Sequence, residues 1–247
     1  MDELAPTRTL TDGLEPYLAV DRTPRRGPCW VMGHMVAGLD GTAAIAGKVG
    51  ALSTASDQVL FRRMRQVADV VMVGAETVRR EGYGVVALDD DARRRRREQG
   101  LPPTPPLAVV SRSLNLDWTA AAFRKAPAHA RTLVVTCGSA DARRREAAAQ
   151  VADLVVAGDE KVDVRQAFRA LAQRGHRVVV CEGGPTWLGF VVAAGLLDEL
   201  CLSVSPVMGG DRLPVAVTPD GAGLTHFELR HVLAEHGTLF LRYEAAP

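Results

Sequence analysis

Glycines and a carboxylate stand together at one point of this sequence where the backbone could meet an anion. Residues 178–181 form a short apolar run, which is followed by Glu182, Gly183 and Gly184, and a helix-like stretch opens at Pro185. Glycine lets the backbone approach a ligand closely, and free N–H groups at a helix start favour an anion such as a pyrophosphate. The segment matches neither a GxGxxG fingerprint nor a P-loop. It predicts either a phosphate-binding turn or a tight strand–helix turn without a ligand.

Three further residues stand where chemistry is possible but a structural role is also sufficient. Gly74 follows the apolar run 70–73, and ligands of open α/β sheets bind beyond the carboxyl ends of the strands, yet glycine is also an ordinary turn residue. Asp57 stands near the start of a helical pattern, where the helix dipole favours a carboxylate even without a catalytic role. His34 lies in an apolar strand-like run, and we interpret it as a core histidine.

The elements that must position these residues alternate along the chain. Helical stripes of apolar residues lie over 56–68 and 164–172. Short β-branched runs predict buried strands at 69–73, 107–110, 132–135, 153–156 and 177–180. Strand–helix–strand units of this kind predict an α/β fold with a mostly parallel central sheet flanked by helices.

The last third of the chain changes character. Strand-like runs at 200–205, 227–233 and 238–243, with a turn at 235–237, predict a C-terminal antiparallel hairpin that makes the sheet mixed. We predict one domain over residues 28–247, preceded by an N-terminal extension over 1–27. The stretch 85–106, which holds five consecutive arginines and a proline cluster, is predicted to be an irregular loop.

Composition excludes several classes of protein. Thirty basic and 29 acidic residues give a net charge of +1, which does not favour nucleic-acid binding. Four scattered cysteines without a CxxC pair predict neither a metal site nor a disulfide framework. No apolar run is long enough for a membrane span, and the first residues lack the pattern of a signal peptide. We therefore expect a cytoplasmic protein.

Three ordered segments resemble one known family. They are Leu39-Asp-Gly41, the run Val-Gly-Ala-Glu-Thr-Val-Arg at 73–79, and above all Glu-Gly-Gly-Pro-Thr-Trp-Leu-Gly at 182–189 with residues 195–200. They occur in this order in the reductase domain of the riboflavin-biosynthesis deaminase–reductase, the RibD C-terminal family, over roughly residues 28–244. The resemblance implies a dihydrofolate-reductase-like fold. It also implies that NADPH reduces the ribosyl group of a ribosylamino-pyrimidine 5′-phosphate to a ribityl group.

The resemblance also implies site residues by position. Glu182 and Arg65 correspond to residues that contact the substrate in this family. Ser111 and Arg112 could together hold a 2′-phosphate, which would favour NADPH over NADH. The full set of implied cofactor contacts is Val36, Ala37, Gly74, Thr77, Ser111, Arg112, Gly183, Gly184, Pro185, Thr186, Leu188 and Gly189.

Departures from the family pattern leave the catalytic group and the substrate open. Glu81 stands where the family has the first Asp of an Asp-Asp-Pro motif, and Asp57 is a second carboxylate candidate. A carboxylate near C1′ of the ring-opened sugar would stabilise a cationic iminium and assist proton transfer. The family's next substrate-binding residues cannot be placed in 85–90. A pterin or dihydrofolate-type reductase and a non-catalytic NADP-binding protein therefore stay as alternatives.

Two expectations concern what accompanies this domain. The zinc signature of the deaminase partner, H-x-E followed by P-C-x-x-C, does not occur in the sequence, so we expect no deamination and no metal. The family resemblance implies a homodimer. The apolar stretches 196–197 and 200–202 fit such an interface, although a buried sheet explains them equally well.

Overall fold

A single mixed sheet organises the chain in the computed structural model, which describes residues 14–247. The strands are Trp30–Ala37 (β1), Val70–Gly74 (β2), Leu107–Val110 (β3), Leu133–Thr136 (β4), Asp153–Val156 (β5), Val178–Cys181 (β6), Glu199–Val204 (β7), Phe227–Glu235 (β8) and Thr238–Ala245 (β9). Their order across the sheet is β5-β4-β3-β2-β6-β1-β7-β9-β8. Strands β1 to β7 run parallel to their neighbours among themselves, and β9 pairs antiparallel with both β7 and β8. The predicted mixed, mostly parallel sheet is confirmed.

Helices cover both faces of the sheet. They are Glu15–Leu18 (α1), Ala55–Met64 (α2), Ala75–Glu81 (α3), Asp90–Glu98 (α4), Ala121–Arg124 (α5), Ala142–Val151 (α6), Val164–Gln173 (α7) and Pro185–Ala193 (α8). Strand β2 is buried along its whole length, because apolar side chains on both of its faces meet a helical layer. One face packs against Leu60 and Met64 of α2, and the other packs against Phe168 of α7 and Val191 of α8.

The C-terminal hairpin forms where the turn residues predict it. His236 and Gly237, with φ of 50° and 79°, make the turn between β8 and β9. Both residues adopt the left-handed conformation, as a two-residue turn of this type requires. This hairpin extends the parallel sheet beyond β7 and confirms the prediction.

The stretch 85–106 is not an irregular loop throughout, because α4 lies within it. The Asp89 side chain caps the helix by accepting a hydrogen bond from the Ala92 N–H. Arg96, inside the arginine run, is 1% exposed and donates hydrogen bonds to the carbonyl oxygens of Gln66, Ala68 and Pro102. The Arg96 guanidinium supplies hydrogen bonds to these buried carbonyl groups, and these bonds attach α4 to the domain where an apolar side chain would otherwise do so. A helix held in this way has no hydrophobic stripe for sequence analysis to find.

Residues 14–27 are packed into the domain rather than forming an extension. Tyr17 is fully buried and its hydroxyl donates to the Phe240 carbonyl. Arg22 donates from Nε and Nη2 to the buried carboxylate of Glu199, at 2.9 Å each. Glu199 also accepts from Arg242 of β9, at 2.8 Å. The rest of the predicted extension, residues 1–13, lies outside the described residues.

Candidate active site

A cleft of about 1190 Å³ opens at one edge of the parallel sheet. Its walls include residues at the carboxyl ends of four strands: Val36 of β1, Gly74 of β2, Val110 of β3, and Glu182 just after β6. Carboxyl ends of parallel strands meet at the same edge, which is where open α/β sheets bind ligands. The fold therefore brings Gly74 and Glu182 into one cleft.

The double-glycine turn after β6 has the shape of an anion cradle. Gly183 and Gly184 have φ of 109° and 84°, a region that other residues rarely adopt. The turn lies directly against the end of β2: the Gly74 N–H donates to the Gly183 carbonyl at 3.2 Å, and a Cβ on Gly184 would lie 3.1 Å from the Gly74 Cα. Helix α8 starts at Pro185 and its N-terminus faces the cleft. Close backbone packing and a helix N-terminus together fit a dinucleotide diphosphate.

The cleft continues past this turn toward a polar end. The Thr77 Oγ1 is close to Gly184: it lies 3.7 Å from the point where a Cβ would be if Gly184 carried a side chain. Ser111 and Arg112 follow β3 on the same wall. The Ser111 Oγ accepts a hydrogen bond from the Leu114 N–H at 3.0 Å, which fixes the turn that carries Arg112. Four basic side chains on the walls of the cleft could hold an anionic group of a cofactor: Arg79, Arg112, Lys161 and Arg165.

Three of the cofactor residues implied by the resemblance do not line the cleft. Ala37 is 3% exposed and lies in the core, and Leu188 is buried against Gly33 of β1. A Cβ on Gly189 would lie 1.8 Å from the Val217 carbonyl oxygen, so this glycine admits the chain segment that crosses α8. In a sequence, a glycine needed for packing looks like a glycine needed for a ligand. The resemblance therefore implies a cofactor contact at Gly189, where the structure shows a packing contact.

A buried ion pair stands beside the glycine turn. The Glu182 carboxylate accepts hydrogen bonds from Nε and Nη2 of Arg65 at 2.6 and 2.7 Å, and from the Tyr83 hydroxyl at 3.2 Å. The Arg65 guanidinium lies 4.5 Å from the centre of the Phe61 ring. Burial, followed by the charge of Glu182, raises the pKa of Tyr83 well above its usual range, so the phenol remains a donor. The two predicted substrate residues therefore form one preorganised group, to which Tyr83 and Phe61 belong as well.

The two catalytic candidates occupy different situations in the same cleft. Asp57 is 4% exposed, and its Oδ2 accepts a hydrogen bond from the Ser53 hydroxyl at 2.5 Å. Within residues 14–247 it forms no ion pair. Glu81 accepts a hydrogen bond from the Val49 N–H at 2.9 Å and so holds the loop between β1 and α2. The Asp57 carboxylate therefore bonds to a side chain, whereas Glu81 is tied to the backbone of a loop.

From the sequence we interpret His34 as a core histidine; the residue is buried, as expected, and it also lines the cleft. It lies two residues before Val36 on β1, and residues two apart on a strand share a face. Its ring centre lies 5.3 Å from that of Phe61, and the two rings are tilted by 41°. Burial is the main cause that lowers the pKa of His34. The spacing of His34 and Val36 was the available signal, but an apolar strand predicts a core position equally well.

No group of His, Cys, Asp and Glu side chains in residues 14–247 is arranged to hold a metal ion. Over the same residues, no helix is both long and apolar enough to cross a membrane.

Solved structures share this fold. A pyrimidine reductase-like protein of Corynebacterium diphtheriae superposes with a TM-score of 0.82 at 25% identity, covering 95% of each chain. A riboflavin biosynthesis reductase of Saccharomyces cerevisiae gives a TM-score of 0.69 at 15% identity over 97% of this chain and 100% of that one. The second similarity supports the fold alone.

Curated relatives and a family profile place the chain more narrowly. Proteins named 2,5-diamino-6-ribosylamino-4(3H)-pyrimidinone 5′-phosphate reductase match it in Archaeoglobus fulgidus, at 27% identity, and in Methanothermobacter thermautotrophicus, at 29%. The alignments cover 74% and 75% of this chain and 83% and 81% of the relatives. The profile of the RibD C-terminal domain matches residues 29–238. The chain therefore belongs to the RibD C-terminal domain family.

Proposed function

We propose that this protein is an NADPH-dependent reductase that converts the ribosyl group of a ribosylamino-pyrimidine 5′-phosphate to a ribityl group. One observation carries the proposal: Glu182, the buried carboxylate, is followed directly in the chain by Gly183 of the glycine turn, and both residues line the cleft at the end of β6. A diphosphate held at the glycine turn would leave the rest of the cleft, with its carboxylates, for the nicotinamide and the substrate. The names of the relatives in this family support the choice of substrate.

The residues of the chain then have distinct tasks. NADPH, when bound, supplies the hydride. Arg65 and Tyr83 fix the Glu182 carboxylate at the substrate end of the cleft, so that little reorganisation is needed when a cation develops. Asp57 is buried, unpaired with any cation in residues 14–247, and free at Oδ1 to exchange a proton with the sugar. Both carboxylates stabilise positive charge at the ring-opened C1′.

Selection of NADPH over NADH belongs to the polar end of the cleft. Arg112 is exposed and follows the hydrogen-bonded turn at Ser111, and Lys161 approaches from the segment before α7. These two cations would pair with the 2′-phosphate of NADPH, a group that NADH lacks. Replacing Arg112 by alanine should therefore weaken NADPH binding and leave NADH binding unchanged.

The activity is tested by following NADPH oxidation with the ribosylamino-pyrimidine phosphate and, separately, with dihydrofolate. Turnover of the pyrimidine, abolished in E182Q, supports the proposal. Turnover of dihydrofolate alone identifies a pterin-type reductase instead. Tight NADPH binding without turnover of either compound identifies a non-catalytic NADP-binding protein.

We further propose a cytoplasmic homodimer. Leu196 and Leu197 are 2% exposed and belong to the core of the protomer, so they do not supply the interface. The hairpin does offer apolar surface, because Leu229 and Leu239 are 47% and 41% exposed. Light scattering of the wild type and of L239E tests the dimer: a monomeric wild type refutes it. Cell fractionation tests the location, which rests on the phosphorylated substrate and on NADPH.

A further inference from the structure

His34 is a buried polar residue whose hydrogen bonds are missing. It is 3% exposed, and neither Nδ1 nor Nε2 has a partner within residues 14–247. Leaving a buried donor or acceptor unpaired is costly for folding. The other buried polar side chains of the cleft, Asp57, Ser111 and Glu182, each have a partner.

The surroundings of His34 are not those of an apolar core, so core packing does not explain its two unpaired nitrogens. Its ring contacts Phe61, but charged groups approach it from every element around it: Asp57 on α2, Arg65 after α2, Glu182 after β6 and Glu199 on β7. None of them hydrogen-bonds to the imidazole. Burial outweighs the acidic neighbours and lowers the pKa of His34 below its ordinary value. An uncharged imidazole offers one N–H donor and one acceptor nitrogen.

We infer that His34 is a substrate-recognition residue whose imidazole pairs with an uncharged donor–acceptor group of the substrate, a ring amide or a sugar hydroxyl, rather than with its phosphate. The inference rests on the proposed function and extends it to a specific contact. A neutral ring with a single donor is a poor partner for a dianion. The unmet hydrogen bonds of the free protein are then satisfied when the substrate binds.

Two variants and a control separate recognition from packing. H34L removes the polar atoms at similar volume, and H34Q keeps one donor and one acceptor without a titrating group. T238V is the matched control, because the Thr238 hydroxyl is fully buried and unpaired within residues 14–247 but lies outside the cleft. Melting temperature, NADPH dissociation constant by fluorescence, and KM and kcat for the pyrimidine phosphate are measured for each protein.

We expect H34L to raise the melting temperature by about 2–4 °C, as relief of an unpaired polar group in a protein of this size predicts. Its KM for the pyrimidine should rise about tenfold, the effect of roughly one lost hydrogen bond to substrate. NADPH affinity should stay within about twofold, on the same scale. H34Q should recover part of the substrate affinity, and T238V should gain stability with KM unchanged.

Two results would each overturn the inference: a melting temperature of H34L below that of the wild type, or a KM unchanged in H34L. Competition by a ribose-free diaminopyrimidinone and by ribose 5-phosphate identifies the group that is read, since H34L weakens only the inhibitor that carries it. Failure of the wild type to reduce the pyrimidine refutes the proposed function instead. In that case binding of the same two compounds to the wild type and to H34L still tests the contact, whereas the melting temperatures show only whether the unpaired imidazole destabilises the fold.

Discussion

Removing Arg65 should expose how much of the stability depends on its pairing with Glu182. In R65M the carboxylate, whose side chain is fully buried, keeps only the Tyr83 hydroxyl as a side-chain donor. Breaking a buried ion pair costs about 3–5 kcal/mol, because the remaining charge stays uncompensated. The lower end applies here, since Tyr83 still donates and the Arg65 side chain is 14% exposed. We expect a loss of about 3 kcal/mol in the free energy of unfolding.

The double variant R65M/E182L provides the decisive comparison. Replacing both charges by apolar side chains is often close to neutral, so the double variant should recover most of the loss of R65M. Urea unfolding followed by tryptophan fluorescence measures each free energy. R94M, which removes an exposed pair with Asp91, is the control and should change stability by less than about 1 kcal/mol. A double variant as unstable as the sum of R65M and E182L would refute the reasoning, because additive losses show that the two charges do not interact.

Three further changes test other parts of the site and the fold. D57N should lower kcat by about 10²-fold or more while keeping NADPH affinity, whereas E81A, which only releases a loop, should mainly raise KM. G184A should raise the NADPH dissociation constant about tenfold, because left-handed backbone costs a side chain about 1–2 kcal/mol and a Cβ would meet backbone at 3.1 Å. G221A carries the same backbone strain in open space and should leave binding unchanged. Burial raises the pKa of Asp198 to about 6. The folded state therefore binds an extra proton between about pH 4 and pH 6, and stability falls as pH rises through that window. D198N should be about 1–3 kcal/mol more stable than the wild type near pH 8, and urea unfolding across pH should show this difference vanish near pH 4.

The elements that were predictable are those in which local pattern and burial agree. The β-branched runs at 69–73 and 177–180 predict β2 and β6 to within one residue, since strands covered on both faces have no alternation to confuse them. The turn after β6 was also predictable, because the glycines there have positive φ and the next element is a helix. The strand order then places Gly74 beside this turn.

The features that were missed depend on contacts between distant residues. Arg96 anchors α4 through carbonyl groups some thirty positions earlier in the chain, at Gln66 and Ala68, which no local pattern records. Gly189 is required by the passage of Val217, again a long-range contact. His34 stands in an apolar strand, and only the packed cleft shows that its nitrogens are unpaired. The carboxylates Asp57 and Glu81 were both identifiable, but their different hydrogen bonds were not.

The ion pairs of the Glu199 carboxylate limit where the N-terminus of this protein can be truncated. It is bound by one arginine from the segment before β1, Arg22, and by one from the last strand, Arg242. A truncated protein that starts at residue 29, where the family match begins, would lack Tyr17 and Arg22. Glu199 would then keep only one of its two arginine partners, Arg242. Such a shortened protein should be poorly soluble, and a useful cut point must lie before residue 14.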